Sequence, residues 1–376
     1  MVLSHLIATE SVIGVDIGSS SIKIMYAEPT KQGARIAKVA MCPTPPESIR
    51  EGIVVNVPEV AGAIQFAIRS AGLKVSNAIA AIAGPGVIVR QVLFPKMPEQ
   101  ALRKSIHFEA AKYISASIED SVVEFDILGD ADEEGQMRVM LVAAPKAMVE
   151  SRVIAMEQAG LDPLAIDIEA LALVRSLIDY NSNESMVNGT VALLDMGASH
   201  TEINIVQKGS LELTRTIPIA GSSVTNAIKS AENCSGEEAE QKKYVLDLNE
   251  DPSLTGAPES SGLRVVRSLV DELLREIRRS INYHQSQLPE GSPESTVDSL
   301  ILTGGLSRLK GLAEYAGSRL NMNVKTGNPA LAELIGSSMA DSGLSGDDIP
   351  LFAVAFGLAV KEMTVNADIM QSPIAA

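Results

Sequence analysis

The chain has 376 residues, 46% of them hydrophobic and 21% charged, which fits two or three globular domains and excludes a disordered chain. Its formal net charge of −16 argues against broad nucleic-acid binding and against adhesion to an anionic lipid surface by charge alone. Two cysteines, Cys42 and Cys234, are too few for a disulfide framework and indicate a reducing compartment. We therefore expect a cytoplasmic protein that does not bind nucleic acid.

The sequence also predicts no direct insertion into a membrane. Residues 1–10 lack a basic region followed by a long apolar run, so no export signal is expected. The longest clean apolar stretch, 351–360, is far too short to span a bilayer. If the protein works at a membrane, we expect a partner to bring it there.

The first predicted elements form a hairpin followed by a helix and a buried strand. Alternating apolar residues over 12–26, broken by a short Ser/Gly-rich segment, predict strand, tight turn and strand. The Pro-rich connector 42–46 excludes a helix or a central strand there. Residues 58–71 are predicted to be helical and residues 77–83 to form a buried strand.

Residues 87–160 are predicted to form a small α+β unit of their own. It ends on a predicted helix that Gly160 would cap. Its strands are predicted at 87–94, 122–128 and 137–144, and its helices at 98–114 and 147–159.

From Gly189 the pattern of the first hairpin returns. Without a gap, Asp16 aligns with Asp195, Gly18 with Gly197, Ser20 with Ser199 and Ile24 with Ile203. Such an internal repeat predicts two similar halves that face each other. The later predicted elements are a charged helix at 237–248, a loop at 249–262, an amphipathic helix at 265–285, a strand at 299–302, and helices at 309–320 and 352–360.

Three glycine-containing turns, 16–23, 195–201 and 303–311, each follow an apolar strand. Glycines let the backbone approach a phosphate closely, and amides and hydroxyls in such turns can point at its oxygens. Alone, each turn is more typical of an ordinary loop, but their order and the repeat together predict a nucleotide site. If the halves face each other, Asp16 and Asp195 would bracket Mg²⁺, and Lys23 would supply positive charge to a β- or γ-phosphate. The absence of a Walker motif gives no support to a P-loop fold.

These segments resemble the motifs of the actin/DnaK/sugar-kinase superfamily. Residues 13–23 and 193–201 resemble its two phosphate motifs, and residues 301–312 its adenosine motif. Residues 239–243 resemble the ribose-contacting helix of FtsA-like members. The two connecting motifs are matched by 167–172 and 350–360.

The resemblance implies an α/β actin-like ATPase fold: two RNase-H-like halves around a cleft that binds ATP and Mg²⁺. It assigns Asp16 and Asp195 to the metal and the reaction, and Glu169 to positioning the attacking water, although a structural acid at a strand end remains an alternative for Glu169. His200 is expected either to touch a phosphate or to be a solvated turn residue. The residues implied to bind the nucleotide are Gly18, Ser19, Ser20, Ser21, Lys23, Gly197, Ala198, Ser199, His200, Thr201, Glu240, Lys243, Gly304, Gly305, Leu306 and Arg308.

The position of the insert narrows the resemblance to the FtsA and PilM families, and residues 90–98 and 107–114 are particularly similar to PilM. The tail 364–376 has no Lys, Arg or aromatic residue, unlike the basic anchor that usually ends FtsA. The domains implied are 1–86 with 163–187 and 350–376 for the first lobe, 87–162 for an inserted SHS2-like α+β domain, and 188–349 for the second lobe.

A PilM-like protein is implied to act in type IV pilus assembly, in the cytoplasm at the inner membrane. Its implied partner is the N-terminal tail of the membrane protein PilN, bound in a nucleotide-linked way, within the inner-membrane assembly complex. Slow ATP hydrolysis is compatible with this role but not required. The sequence leaves both a monomer and a homo-oligomer as alternatives. The alternatives are an FtsA-like cell-division or cytomotive filament protein, and a small-molecule kinase, for which no additional general-base motif stands out.

Overall fold

A computed structural model describes residues 11–30, 33–114, 117–131, 133–179, 188–250, 259–288, 296–327, 344–361 and 363. The predicted tail 364–376 and most of the predicted loop 249–262 lie outside these residues. The described strands are β1 (Ile13–Ile17), β2 (Ser21–Thr30), β3 (Gly33–Pro43), β4 (Ile49–Arg50), β5 (Ile53–Val54), β6 (Asn77–Ile82), β7 (Ile88–Pro95), β8 (Ser121–Asp130), β9 (Gln136–Pro145), β10 (Asp162–Ile168), β11 (Thr190–Met196), β12 (Thr201–Gln207), β13 (Ser210–Ile217), β14 (Ser299–Thr303) and β15 (Asn323–Thr326).

Seven of the nine described helices fall on segments predicted to be helical, and the two at 169–174 and 221–232 were not predicted. The described helices are α1 (Val57–Ser70), α2 (Glu99–Ala110), α3 (Lys146–Gln158), α4 (Glu169–Val174), α5 (Gly221–Glu232), α6 (Gly236–Lys243), α7 (Ser261–Gln287), α8 (Leu312–Leu320) and α9 (Ala353–Ala359). Helix α6 ends five residues before the predicted end of its segment, because Tyr244 closes it. Helix α8 begins at Leu312, three residues after the predicted start, and residues 305–308 form a 3₁₀ turn ahead of it.

Two five-stranded sheets share one arrangement, which confirms the predicted repeat. The first sheet has the order β10-β6-β1-β2-β3 and the second, read in the same direction, β15-β14-β11-β12-β13. In both, the first strand of the hairpin runs antiparallel to the next strand and parallel to its other neighbour. Strands β3 and β13, which the sequence analysis did not predict, extend the two hairpins at the sheet edges.

Helices cover each sheet and close the two cores. In the second lobe, the apolar stripe of α7, including Val266, Val270 and Ile277, is fully buried. In the first lobe, α9 lies directly on β1. A β-carbon added to Gly14 would sit 2.1 Å from the carbonyl oxygen of Ala355. This close approach requires glycine at position 14.

The inserted segment contains a three-stranded sheet of order β7-β9-β8. One face of β9, with Val139 and Leu141, packs under α2. The opposite face, with Met140 and Ala144, joins the apolar core that also holds Leu211 of the second lobe. The sheet therefore contacts the body of the protein through one face and carries its own helix on the other.

Helix α3 lies within the predicted insert but packs with the first lobe. Its Ala155 and Met156 are buried in the core formed by β1, β2 and α1. A β-carbon on Gly86 would lie 3.1 Å from Pro145, so the two ends of the segment 87–145 are close together. The division into domains stays a prediction, and this packing favours an insert that ends near Pro145.

Candidate functional site

A cleft of about 670 Å³ lies between the two lobes, at the ends of β1, β11 and β14. Because equivalent strands end here, the three glycine turns of the sequence meet around one space. Every residue that the sequence predicts for this site lines the cleft except Thr201. The hydroxyl of Thr201 is fully buried and donates to the carbonyl oxygen of Ile219 at 2.6 Å, so this side chain holds β12 instead.

The first turn is held by hydrogen bonds to the Pro-rich connector. The Gly18 amide donates to the Ser21 carbonyl at 3.2 Å, and the Thr44 hydroxyl donates to the Gly18 carbonyl at 2.6 Å. A β-carbon on Gly18 would lie 2.9 Å from the Ser21 carbonyl oxygen, so the tight turn requires glycine. Lys23 Nζ pairs with Asp16 Oδ2 at 2.9 Å, and both side chains are largely buried.

The second turn has the same construction and touches the first. The Gly197 amide donates to the His200 carbonyl at 3.1 Å, and the next helix, α5, donates the Ser222 amide to the Ala198 carbonyl at 2.9 Å. Across the cleft, the Ser19 hydroxyl donates to Ser199 Oγ at 3.0 Å. The two phosphate-type turns of the repeat therefore face each other at hydrogen-bonding distance.

The third turn closes the cleft against Asp195. Gly304 has a φ of 78°, and a β-carbon there would lie 2.3 Å from Asp195 Oδ1. Its amide and the Thr303 hydroxyl both donate to the Pro350 carbonyl, at 3.1 and 2.6 Å. Position 304 therefore tolerates only glycine, whereas a β-carbon on Gly305 would meet its nearest neighbour, Leu351, at 3.5 Å.

Helix α6 supplies polar groups on the second lobe's side of the cleft. Lys243 Nζ lies 2.6 Å from Glu240 Oε1, and the Thr225 hydroxyl donates to Glu240 Oε2 at 2.5 Å. The guanidinium of Arg308 lies over the Tyr244 ring, 5.1 Å from its centroid. This end of the cleft offers a flat aromatic–guanidinium surface beside hydrogen-bonding side chains.

Buried carboxyl groups dominate the electrostatics at the other end. Burial and then the charge of Asp16 raise the pKa of Asp195 to about 6, against the opposing effect of Lys23. Burial and the charges of Asp16, Asp195 and Glu202 raise the pKa of Glu169 well above its ordinary value. Burial raises the pKa of Glu202 to about 7, although hydrogen bonds from Asn204 and the Gly84 amide favour its charged form.

Two buried cations lie among these acids. Burial alone would lower the pKa of Lys23, but the adjacent Asp16 outweighs it and raises that pKa overall. Burial lowers the pKa of Arg152, which Glu169 and Asp16 partly offset. Burial, followed by the charge of Arg152, also lowers the pKa of His200, so the neutral imidazole is favoured.

This arrangement fits a polyphosphate with a divalent cation. Burial and then the charge of Asp16 raise the pKa of Asp195, and a bound cation would stabilise both carboxylates. No cluster of three or more His, Cys, Asp or Glu side chains suited to a metal occurs in the described part of the chain. Mg²⁺ takes few direct carboxylates and keeps several waters, and Asp16 and Asp195 are the residues that would hold it.

Several cleft residues were missed by the sequence analysis. Arg152, Thr44 and Gly52 come from the first lobe, and Thr225, Asn226 and Tyr244 from the second. Arg152 and Thr225 lie in helices where a charged or polar side chain usually indicates solvent. Their approach to the cleft depends on contacts distant in sequence, so no local pattern could have identified them.

The paired sheets and the three turns between them define an actin-like ATPase fold. A structure of a PilM–PilN type IV pilus biogenesis complex is similar to this chain with a TM-score of 0.79 and 25% identity, over 95% of this chain and 99% of that one. MreB5 of Spiroplasma citri, solved with ADP, shares the fold at a TM-score of 0.51 and 14% identity, over 97% of this chain and 99% of its own.

Sequence relatives agree with this class. The cell division protein FtsA of Pseudomonas aeruginosa is 26% identical over 356 residues, which cover 85% of this chain and 83% of FtsA. The model of the family "type IV pilus assembly protein PilM" matches residues 14–363. The chain therefore belongs to the PilM family of type IV pilus assembly proteins. None of the helices described in the structure is both long and apolar enough to cross a bilayer.

Proposed function

We propose that the chain binds Mg²⁺-ATP in the cleft and acts as a cytoplasmic scaffold of type IV pilus assembly. In this role it binds the N-terminal tail of a PilN-like inner-membrane protein, and the nucleotide strengthens that binding. The observation that carries the nucleotide assignment is the contact between Ser19 and Ser199, 3.0 Å apart, at the tips of two equivalent turns. Facing turns of this kind can enclose a chain of phosphates from both sides.

Each group in the cleft then has a separate task. Asp16 and Asp195 would hold Mg²⁺ directly or through its waters, and Lys23 would neutralise the β- or γ-phosphate. Gly305 and Arg308 would lie against the base or ribose. Glu169, which lines the cleft near both aspartates, would position the attacking water.

The insert is the proposed binding surface for the partner. In the described part of the chain, its large apolar side chains are unusually exposed: 52% for Leu93, 81% for Phe108 and 41% for Ile127. Strand β8 is an edge of the inserted sheet, which a peptide could extend. The similarity to a PilM–PilN complex supports a PilN-like tail as the occupant.

A pull-down with tail peptides of inner-membrane pilus proteins tests this role. Phe108→Ala should weaken capture of the PilN-like peptide several-fold, because buried apolar anchors supply most of the affinity of such segments. Val245→Ala, at a residue 77% exposed on the second lobe, is the matched control and should bind normally. Failure of the unmodified chain to bind any inner-membrane pilus component would contradict the proposed function.

Removal of the insert is a stronger form of the same test. Since Gly86 and Pro145 are adjacent, a short Gly-Ser linker can replace residues 88–144 and leave α3 in the first lobe. This variant should bind ATP and lose the peptide. Retained peptide binding by the folded variant would contradict the assignment of the insert.

The second candidate function is an FtsA-like or cytomotive filament, which the 26% identity to FtsA of Pseudomonas aeruginosa favours. Sedimentation with Mg²⁺-ATP separates the two candidates, because only a filament should pellet in a nucleotide-dependent way. A phosphotransfer screen would reveal a small-molecule kinase, for which we expect no product.

A further inference from the structure

Arg152 is a buried cation that forms no ion pair within 4 Å among the residues that the structure describes. Its side chain lines the cleft, although the residue is only 3% exposed. Nη1 donates to the carbonyl oxygens of Gly52 and, at 3.4 Å, Met148. Nε has no hydrogen-bond partner, and no ion pair joins Arg152 to another of the described residues. An unpaired buried charge is costly, so the site favours an anionic ligand.

The charges around Arg152 show which end of the cleft it occupies. It interacts electrostatically with Glu169 and Asp16, and its own charge acts on His200 in the second phosphate turn. The side chains of Glu240, Lys243 and Arg308 pair with one another or with Tyr244 and Asp348 instead. Arg152 therefore lies where the phosphate turns meet, away from the expected base and ribose.

We propose that Arg152 binds the terminal phosphate of the nucleotide and makes the cleft prefer ATP over ADP. This inference rests on the proposed nucleotide binding. A guanidinium presents several donors in one plane and suits phosphate oxygens. Nη1 is held by Gly52 and Nε is buried, so Nη2 is the nitrogen left to reach a phosphate.

The position of Arg152 in the chain links that phosphate to the insert. Helix α3 begins at Lys146, directly after the last inserted strand, β9. A β-carbon on Gly52, the acceptor of Arg152, would lie 2.8 Å from Met148 in the same helix. A phosphate held by Arg152 thus acts on the helix that connects the insert to the first lobe.

Calorimetric titration with Mg²⁺-AMP-PNP and Mg²⁺-ADP tests the inference in the full chain. Arg152→Gln should weaken AMP-PNP binding by about tenfold or more and change ADP binding by less than about twofold, since only AMP-PNP carries the third phosphate. The AMP-PNP affinity of Arg152→Lys should lie between those of the unmodified chain and Arg152→Gln, because lysine keeps the charge but lacks the planar donors. Arg138→Gln, at an exposed residue of the insert, should change neither.

Equal losses for both nucleotides, or no loss for either, would overturn the inference while leaving nucleotide binding intact. If Arg152→Gln fails to fold, the unmodified chain and Arg152→Lys still decide it. The unmodified chain should then bind AMP-PNP more tightly than ADP, and Arg152→Lys should reduce that preference; equal affinities in the unmodified chain would overturn the inference. Absence of any nucleotide binding by the unmodified chain would overturn the proposed function as well.

Discussion

Lys23 and Glu202 occupy equivalent positions in the two halves but carry opposite charges. Lys23 is the strand partner of Asp16, and Glu202 that of Asp195. In the first lobe the pair is a 2.9 Å ion pair. In the second, burial and then the charge of Asp195 raise the pKa of Glu202 to about 7, so its ionised form is unfavourable in the fold.

This difference predicts a pH dependence of stability. The pKa of Glu202 is about 7 in the folded chain and 4.5 ordinarily, so folding favours its protonated form. The stability that this preference contributes is fully present below about pH 4.5 and is lost as pH rises through about 7. Glu202→Gln should remove that loss. Relative to the parent, the variant should gain on the order of 2 kcal/mol in unfolding free energy between pH 5 and pH 8.

Urea unfolding at the two pH values, without nucleotide, measures this difference. Glu237→Gln, at an exposed residue of α6, is the control. Its unfolding free energy should differ from that of the parent by the same amount at both pH values. A Glu202→Gln variant whose stability difference from the parent does not change with pH would show that Glu202 is already ionised in the fold.

Asp195→Ala should weaken Mg²⁺-ATP binding by about tenfold or more, because it removes a carboxylate that we propose holds Mg²⁺. At pH 8 its melting temperature without nucleotide should stay the same or rise, since the change removes a buried carboxylate that also lies beside the charge of Asp16. Asp162→Ala, at an exposed acid of β10, is the control. Calorimetry that shows unchanged affinity for Asp195→Ala would remove Asp195 from the site.

The two adjacent glycines of the third turn should respond differently to valine. Gly305→Val should fold but lose about tenfold or more in ATP affinity, because its side chain would enter the cleft where only Leu351 is near. Gly304→Val should lose stability, because its φ of 78° and the 2.3 Å approach to Asp195 leave no room. Thermal melts with ATP titrations check both, and normal ATP binding by Gly305→Val would place the nucleotide elsewhere.

Gln91 joins the insert to the second lobe. Its Nε2 donates to the carbonyl of Leu211 and to Ser210 Oγ, both at 3.0 Å, and to Glu212 Oε1 at 3.1 Å. Gln91→Ala should therefore reduce the effect of ATP on peptide binding while leaving ATP affinity within about twofold. Gln136→Ala, at the far end of the inserted sheet, is the control. If ATP changes the peptide affinity of Gln91→Ala as much as that of the parent, this contact does not couple the two binding sites.

Local patterns were enough to predict the hairpins, the three turns and α7, because apolar alternation and glycine spacing are properties of short segments. They predicted α3 but not its packing against α1 in the first lobe, which brings Arg152 to the cleft. Thr201 shows the opposite limit. It follows the phosphate turn in sequence, yet its hydroxyl donates a hydrogen bond to the Ile219 carbonyl and does not line the cleft.

The repeat also predicts too much symmetry. It correctly aligns Asp16 with Asp195. It also aligns Lys23 with Glu202, which have opposite charges, and the effect of that difference depends on how deeply each side chain is buried. The domain limits, the metal ligands and the partner remain predictions that the experiments above address.

The central claim, that nucleotide and partner binding are linked, is tested most directly by calorimetric titration of a PilN-like N-terminal peptide into the full chain. The titration is run without nucleotide and with saturating Mg²⁺-AMP-PNP. We predict at least about fivefold tighter peptide binding with the nucleotide, a coupling on the order of 1 kcal/mol. Equal peptide affinity in the two titrations, with nucleotide binding verified in the same sample, would contradict the account.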